Sequence, residues 1–413
     1  MSKSHYELHV RRDGRWRIDA AFDAQESAEL AARAEISAHG AEEVKVLKYR
    51  PFAGFEVEVC VFHRKASDSK DDVVMLGGGA EGAPICRDVS DLYKFESRVV
   101  AGRLLRLFLD KHRITVSELL HGWSYARRLD EQGGLLRAAM AAVARWQHDN
   151  LGVDAKERTR ALTEYADQIL SRLRAFNVAR KNLAPLEWRD LDRCRRRVAL
   201  DVGDGDGDFF FMAQVTESLQ GANGALAKLE MLLDPWEEAG TDQTALLLEA
   251  FIADALGGAE VVRELLGPQP NLAAGLATLA DLLFGRPPAL DGAPVNPALT
   301  RIGRMVVEGR APQCRAMLIE RIRSSLASDQ PLDRRNPQGD APAIGMLEQR
   351  LLGPDGRMIG GAEVAKALTR RAVRHRQSLL RGYGLHDVAD AAGAQSREAE
   401  KGGLGRNKPP PEK

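Results

Sequence analysis

Between Thr241 and Gly285 the chain repeats one pattern: a helix-length apolar run closed by glycine, or by glycine and proline. Thr241 or Asp242 can cap the first run. Leu246, Leu247, Ala250, Phe251 and Leu256 then recur at helical spacing, widened by Ile252 and Ala255, until Gly257-Gly258 stops it. Glu260 to Leu266 makes a shorter element ended by Gly267-Pro268. Asn271 can cap a third, which carries Leu272, Leu276, Leu279, Leu282 and Leu283. Helices this apolar, joined this tightly, must bury one another, so a compact helical array is expected. No fixed period is present, which argues against a solenoid.

Charge divides the same region from the one before it. From Asp201 to Gly267 there are fourteen Asp or Glu against Lys228 and Arg263 alone. Leu151 to Leu200 holds twelve Lys or Arg against seven acids, and the sign changes at Arg195-Arg196-Arg197. Opposite charge on adjoining segments favours their docking and discourages each from packing on a copy of itself. The overall net charge is zero, which argues against a nucleic-acid binder.

Residues 1–65 read as a small α+β domain. Tyr6, Leu8 and Val10 alternate along one strand, and Trp16, Ile18 and Ala20 along a second, with Asp13-Gly14 as the hairpin signal. Asp23 and Glu26 open a helix that Gly40 stops. Val44 and Val46 mark a third strand, and Phe55, Val57, Val59 and Val61 a fourth. One helix can cover only one sheet face in this ββαββ order. A domain of this size is marginal alone, so the free face or edge is expected to bind something, a second copy included.

Residues 66–90 read as a Gly-rich linker. Gly77, Gly79 and Gly82 fit G-x-G-x-x-G, but Pro84 follows at once and no βαβ pattern surrounds them, so a dinucleotide loop is not expected. Residues 91–200 read as a helical domain with a basic second half, beginning with an element from Leu92 to His112. Thr115 with Glu118 forms a capping box. The short turn from Lys111 to Thr115 has helix–turn–helix spacing, a pattern common in any helical protein. Residues 201–388 read as a larger helical domain, and 389–413 as a disordered tail.

The candidate sites are few. Asp204, Asp206 and Asp208 alternate like the start of a calcium loop, but Phe209 and Val215 stand where an EF-hand needs Gly and Glu. They remain candidates for an irregular divalent-cation site, and so for a metal-dependent enzyme. Arg193, Arg195, Arg196 and Arg197, with Arg370, Arg371, Arg374 and Arg376, are the candidate partner-binding residues, for an acidic protein surface or, in the weaker reading, for nucleic acid. The last helix, about Gly361 to Arg381, is expected to lie against the acidic segment 201–267. Cys60, Cys86, Cys194 and Cys314 lack paired spacing, which fits a reducing cytoplasm rather than zinc or disulfides. No apolar run approaches the ~20 residues of a membrane span, and the N-terminus lacks an apolar signal core.

The fold class expected is therefore mainly α, with a small N-terminal ββαββ domain followed by a multi-helix body with short loops. No catalytic set and no cofactor site emerges from the residues. The function expected is that of a non-catalytic protein-interaction protein, a regulator or adaptor in a bacterial cytoplasm, whose partner is another protein.

Overall fold

The computed structural model describes residues 5–12, 14–38, 41–52, 55–65, 79–131, 134–203, 205–222, 224–287, 295–333 and 340–392. The chain divides into two compact units, Met1–Gly78 and Gly79–Lys413. It is mainly α with a small α+β unit at its N-terminus.

In the first unit, strands β1 (His5–Arg12), β2 (Arg15–Phe22), β3 (Glu43–Phe52) and β4 (Phe55–Lys65) form an antiparallel sheet in the order β2-β1-β3-β4. Helix α1 (Gln25–Ala38) joins β2 to β3. Arg12 pairs with Arg15 across the tight turn, where Gly14 holds φ +73°, a value that glycine reaches without a Cβ clash. Tyr6, Leu8 and Val10 of β1, with Val44 and Val46 of β3, bury one sheet face against Ala28 and Ala32 of α1. The small alanines let the helix sit close. The register shifts between Leu8 and His9 on β1, and between Val46 and Leu47 on β3.

The second unit begins with a packed coil. Ala80, Ala83 and Cys86 are buried, so the expected linker does not extend over 79–90; its first part, 66–78, lies outside the described residues. A 3-10 turn follows at Val89–Tyr93, with Asp88 accepting from the Ser90 N–H as its cap. The expected single helix up to His112 is two, α2 (Phe95–Leu104) and α3 (Arg106–His112), broken at Leu105. Then come α4 (Val116–His121), α5 (Trp123–Glu131), α6 (Gly134–Leu151), α7 (Ala155–Ala179) and α8 (Leu191–Val202). The Thr115–Glu118 capping box is present in full at the start of α4.

Helices α9 (Gly207–Leu219), α10 (Ala225–Glu237), α11 (Asp242–Leu256), α12 (Ala259–Leu266) and α13 (Leu272–Leu283) follow. Thr241 caps α11 and Asn271 caps α13, as their positions predict. After them come α14 (Pro297–Val307), α15 (Pro312–Ala327), α16 (Asp340–Arg350) and α17 (Gly361–Gly382). Residues 386–392 are again helical and Ala389 is buried, so order runs past the expected start of the tail; 393–413 lie outside the described residues.

Helices α9, α11 and α13 are apolar nearly all round and occupy the centre, as helices with no polar face must. Gly303 of α14 meets Leu282 of α13 so closely that a Cβ would sit 2.5 Å from Leu282 Cγ. The boundary expected at residue 200 falls inside this one unit. Phe209, Phe210 and Ala213 of α9 share a core with Ile169, Leu173 and Phe176 of α7 and Val198 of α8. Opposite charge lines the same seam: Arg172 pairs with Asp206, Arg180 with Glu217, and Arg195 with Asp208.

Candidate functional site

Among the described residues of the acidic loop, Asp206 and Asp208 turn to different arginines. Asp206 lies 2.6 Å from Arg172 and Asp208 3.2 Å from Arg195, while Gln243 also donates to Asp208. Asp204 lies outside the described residues. Among the described residues no group of three His, Cys, Asp or Glu could hold a metal ion. The guanidiniums already supply the countercharge that a cation would bring.

The arginine candidates are scattered. Arg193 and Arg196 are exposed on α8, with Arg196 donating to the Asp192 carbonyl. Arg195 is taken up by Asp208, and Arg197 by Glu187 and the Pro185 carbonyl. On α17, Arg371 is 5% exposed and donates to the carbonyls of Ser325, Leu326 and Ser328, while its charge faces Asp340. Arg374 reaches Asp329 and the carbonyls of Leu326, Ala327 and Ser328. These two arginines close the C-terminus of α15, where unpaired carbonyls and the helix dipole attract cations. The expected pairing of this helix with 201–267 is not among the described ion pairs. Arg370 and Arg376 are exposed.

Sequence spacing gave no hint of the buried polar network centred on α11. Arg98 Nε donates to both Asp254 oxygens at 3.0 and 3.1 Å, Nη1 to the Tyr93 carbonyl and Nη2 to Gln313. Asp254 also accepts from the backbone N–H and the hydroxyl of Ser117, in the first turn of α4. Five residues earlier, Glu249 accepts from the N–H groups of Gln313 and Cys314, in the first turn of α15. One helix thus supplies carboxylates to the N-termini of two others, where free N–H groups and the dipole favour negative charge. Burial pushes the Glu249 carboxyl up, against the pull of those N–H groups. Lys228 ties Glu118 to the Arg113 carbonyl at the start of the same α4.

Beside this network a cleft of about 520 Å³ is lined by Tyr93, Arg98, Ser117, His121, Arg172, Phe209 and Gln313, among others. His121 is buried among the rings of Tyr93, Phe209 and Phe251. Its Nδ1–H donates to the Ser117 carbonyl at 2.8 Å. Burial lowers its pKa to about 4, so the ring is neutral and Nε2 is left an acceptor without a partner among the described residues. A base that weak is poorly matched to proton abstraction near neutral pH. Arg172 stacks on Phe209, 4.3 Å from the ring centroid. The helix–turn–helix reading meets the same packing: Val116, Ser117, Glu118, Leu119 and His121 of α4 are buried, and a recognition helix needs them free.

The helices α2, α4, α5, α6 and α7 also line a partly open apolar cavity of about 170 Å³.

In the N-terminal unit, β2 is the edge strand away from β3. Arg15 to Asp19 are all exposed, with Trp16 39% and Ile18 62% accessible. Lys45 on β3 lies over the Trp16 ring at 4.9 Å. Arg15 and Arg17 have no ion pair among the described residues. The alternation of Trp16 and Ile18 suggests a core strand; past the register shift at Leu8 and His9, however, Ile18 pairs with His9 and Trp16 with Arg11, on the sheet face opposite the one that Tyr6, Leu8 and Val10 bury against α1, and the two large side chains are left outside.

No protein-family model matches the chain, and no curated protein or solved structure matches it either.

Proposed function

We propose that the chain is a protein-interaction protein, a regulator or adaptor, whose N-terminal unit captures an extended, acidic segment of a protein partner along β2. The exposure of Trp16 and Ile18 on a strand that, among the described residues, has no neighbour on its outer side carries this reading. An edge strand offers unpaired N–H and C=O groups, and these template a further strand. Tryptophan and arginine are the side chains that most often dominate binding energy, and Arg15, Trp16 and Arg17 stand together here. The cationic side chains favour a partner strand carrying Asp or Glu. Exposed ion pairs of this kind orient a contact rather than hold it, so Trp16 and Ile18 supply the affinity.

The free, buried thiols of Cys86, Cys194 and Cys314 support a reducing compartment such as the cytoplasm. Among the described residues no helix is long and apolar enough to cross a membrane.

The test uses full-length protein and the double variant Trp16→Ser, Ile18→Ser in crosslinked capture from lysate, with light scattering on each. A partner enriched by the parent and lost by the variant supports the reading when circular dichroism is unchanged. If light scattering gives a dimer that the variant abolishes, the partner is a second copy. Equal capture by both proteins, or none by either, would overturn the assignment to β2.

A further inference from the structure

The apolar cavity between α2 and α7 is walled by Val100, Leu104, Leu119, Leu136, Met140 and Ile169. Among the described residues its wall carries polar side chains at Cys86 and Ser97 alone, whose Sγ and Oγ lie 3.5 Å apart. A cavity of about 150 Å³ with such a lining stays dry and takes up benzene. At about 170 Å³ this one has room for an apolar group of about six carbons or slightly more.

Cys86 also belongs to the wall of a second, polar recess, with Arg87, Asp154, Glu157, Arg158 and Tyr165. Arg158 holds Cys86 directly, Nη1 donating to its carbonyl at 3.1 Å, while Nε donates to Gln147 at 3.0 Å. Gln147 is fully buried and donates onward to the Pro84 carbonyl. The remaining Arg158 nitrogen, Nη2, is buried and without a hydrogen-bond partner. Asp154 is occupied as the cap of α7, accepting from the Glu157 N–H at 2.7 Å. Tyr165 donates to the Arg87 carbonyl. Arg158, with Nη2 unpartnered, therefore lines a recess that shares Cys86 with the apolar cavity.

We propose that this is a binding site for a small amphipathic carboxylate, with its hydrocarbon body in the cavity and its head passing Cys86 to Arg158. The two halves of the site select different parts of one molecule. The cavity excludes a polar body, because its walls offer nothing to replace lost water hydrogen bonds. Arg158 selects the head, because a carboxylate accepts a charge-assisted hydrogen bond that a hydroxyl matches only weakly. Burial pushes the Cys86 thiol up, so it serves as a neutral wall rather than a nucleophile. The site is independent of β2 and of any protein partner.

The experiment is calorimetry and thermal melting of full-length protein with hexanoate, octanoate and 1-octanol. Octanoate is expected to bind and to raise Tm, and octanol to bind about tenfold more weakly. Arg158→Gln should weaken octanoate about tenfold and leave octanol unchanged. Ala139 also lines the cavity, and Ala139→Leu, which fills it, should raise Tm without ligand and abolish binding of both. If octanoate produces neither heat nor a Tm shift, the space is only a packing void and the proposal falls. It falls equally if Arg158→Gln weakens octanoate and octanol alike, or if octanoate binds Ala139→Leu with unchanged affinity. Should Ala139→Leu fail to fold, the Arg158→Gln comparison still decides the head-group assignment.

Discussion

Arg98 on α2 and Asp254 on α11 form an enclosed ion pair, Nε to Oδ1 at 3.0 Å, with side-chain exposures of 4% and 1%. The pair is further held by the Tyr93 carbonyl and Gln313, which accept from Arg98, and by Ser117, which donates twice to Asp254. Removing one partner leaves a buried, uncompensated charge. Asp254→Asn is expected to cost about 3–5 kcal/mol in urea melts. The double variant Arg98→Met, Asp254→Leu should recover part of that loss, because it removes both charges together. A double variant as unstable as the single one would contradict this.

Helix α14 approaches α13 through Gly303, where any side chain would enter the space of Leu282. Gly303→Ala is therefore expected to destabilise by about 1–3 kcal/mol. Its better helix propensity, worth about 1 kcal/mol, works in the opposite direction and places the result at the lower end. A Tm equal to or above that of the parent would show that the helices separate without cost.

Calcium, magnesium and manganese are expected to give no binding heat that depends on Asp206 and Asp208. Each carboxylate already holds a guanidinium, from Arg172 and Arg195. A cation would have to displace both. Calorimetry on the parent and on Asp206→Asn, Asp208→Asn checks this, and heat that disappears in the variant would restore the metal reading.

On β2, Trp16→Ser with Ile18→Ser should leave the melting of the N-terminal unit nearly unchanged, within about 0.5 kcal/mol, because exposed side chains contribute little to folding. Loss of binding without loss of stability separates a recognition role from a core role. A large destabilisation would mean that these side chains are covered in the folded protein.

What could be read from the residues was local. The Thr115–Glu118 box and the caps Thr241 and Asn271 depend on neighbours within three residues, and they stand where the sequence puts them. Arg98 and Asp254 are far apart in the chain, and no spacing rule links them. The basic run on α17 was ambiguous for a related reason. Net charge suggests a distant acidic segment, but Arg371 and Arg374 find the carbonyls that end α15, a countercharge that composition does not display. Gly79 to Ser90 looks like linker because it is rich in glycine and polar residues. Yet Ala80, Ala83 and Cys86 within it are buried, although Ile85 is left exposed. The exposure of Trp16 follows from register: one helix covers one sheet face, and the shift at Leu8 and His9 sets Trp16 beside Arg11 on the other.

The pH dependence of stability turns on His121. Its pKa is about 4 in the folded protein against 6.5 for the free side chain, with burial the main cause and Arg98 and Arg172 adding repulsion. Its hydrogen bond to Ser117 pulls the other way. Because the folded value is the lower one, the unfolded chain binds the proton first as pH falls. Stability is therefore complete above about pH 6.5 and is lost as pH falls towards 4. Between pH 7.5 and 5 the loss should be about 2 kcal/mol. Glu249 opposes it, since a raised carboxyl pKa binds protons in the folded state first and gains stability as pH falls. The difference between the parent and His121→Gln removes that contribution, because Glu249 is common to both. Urea melts at pH 7.5 and 5 should show the parent losing about 2 kcal/mol more than the variant. Parallel losses in the two proteins would mean that His121 gains its proton within the folded state, which would require water or an anion to reach Nε2 through the cleft.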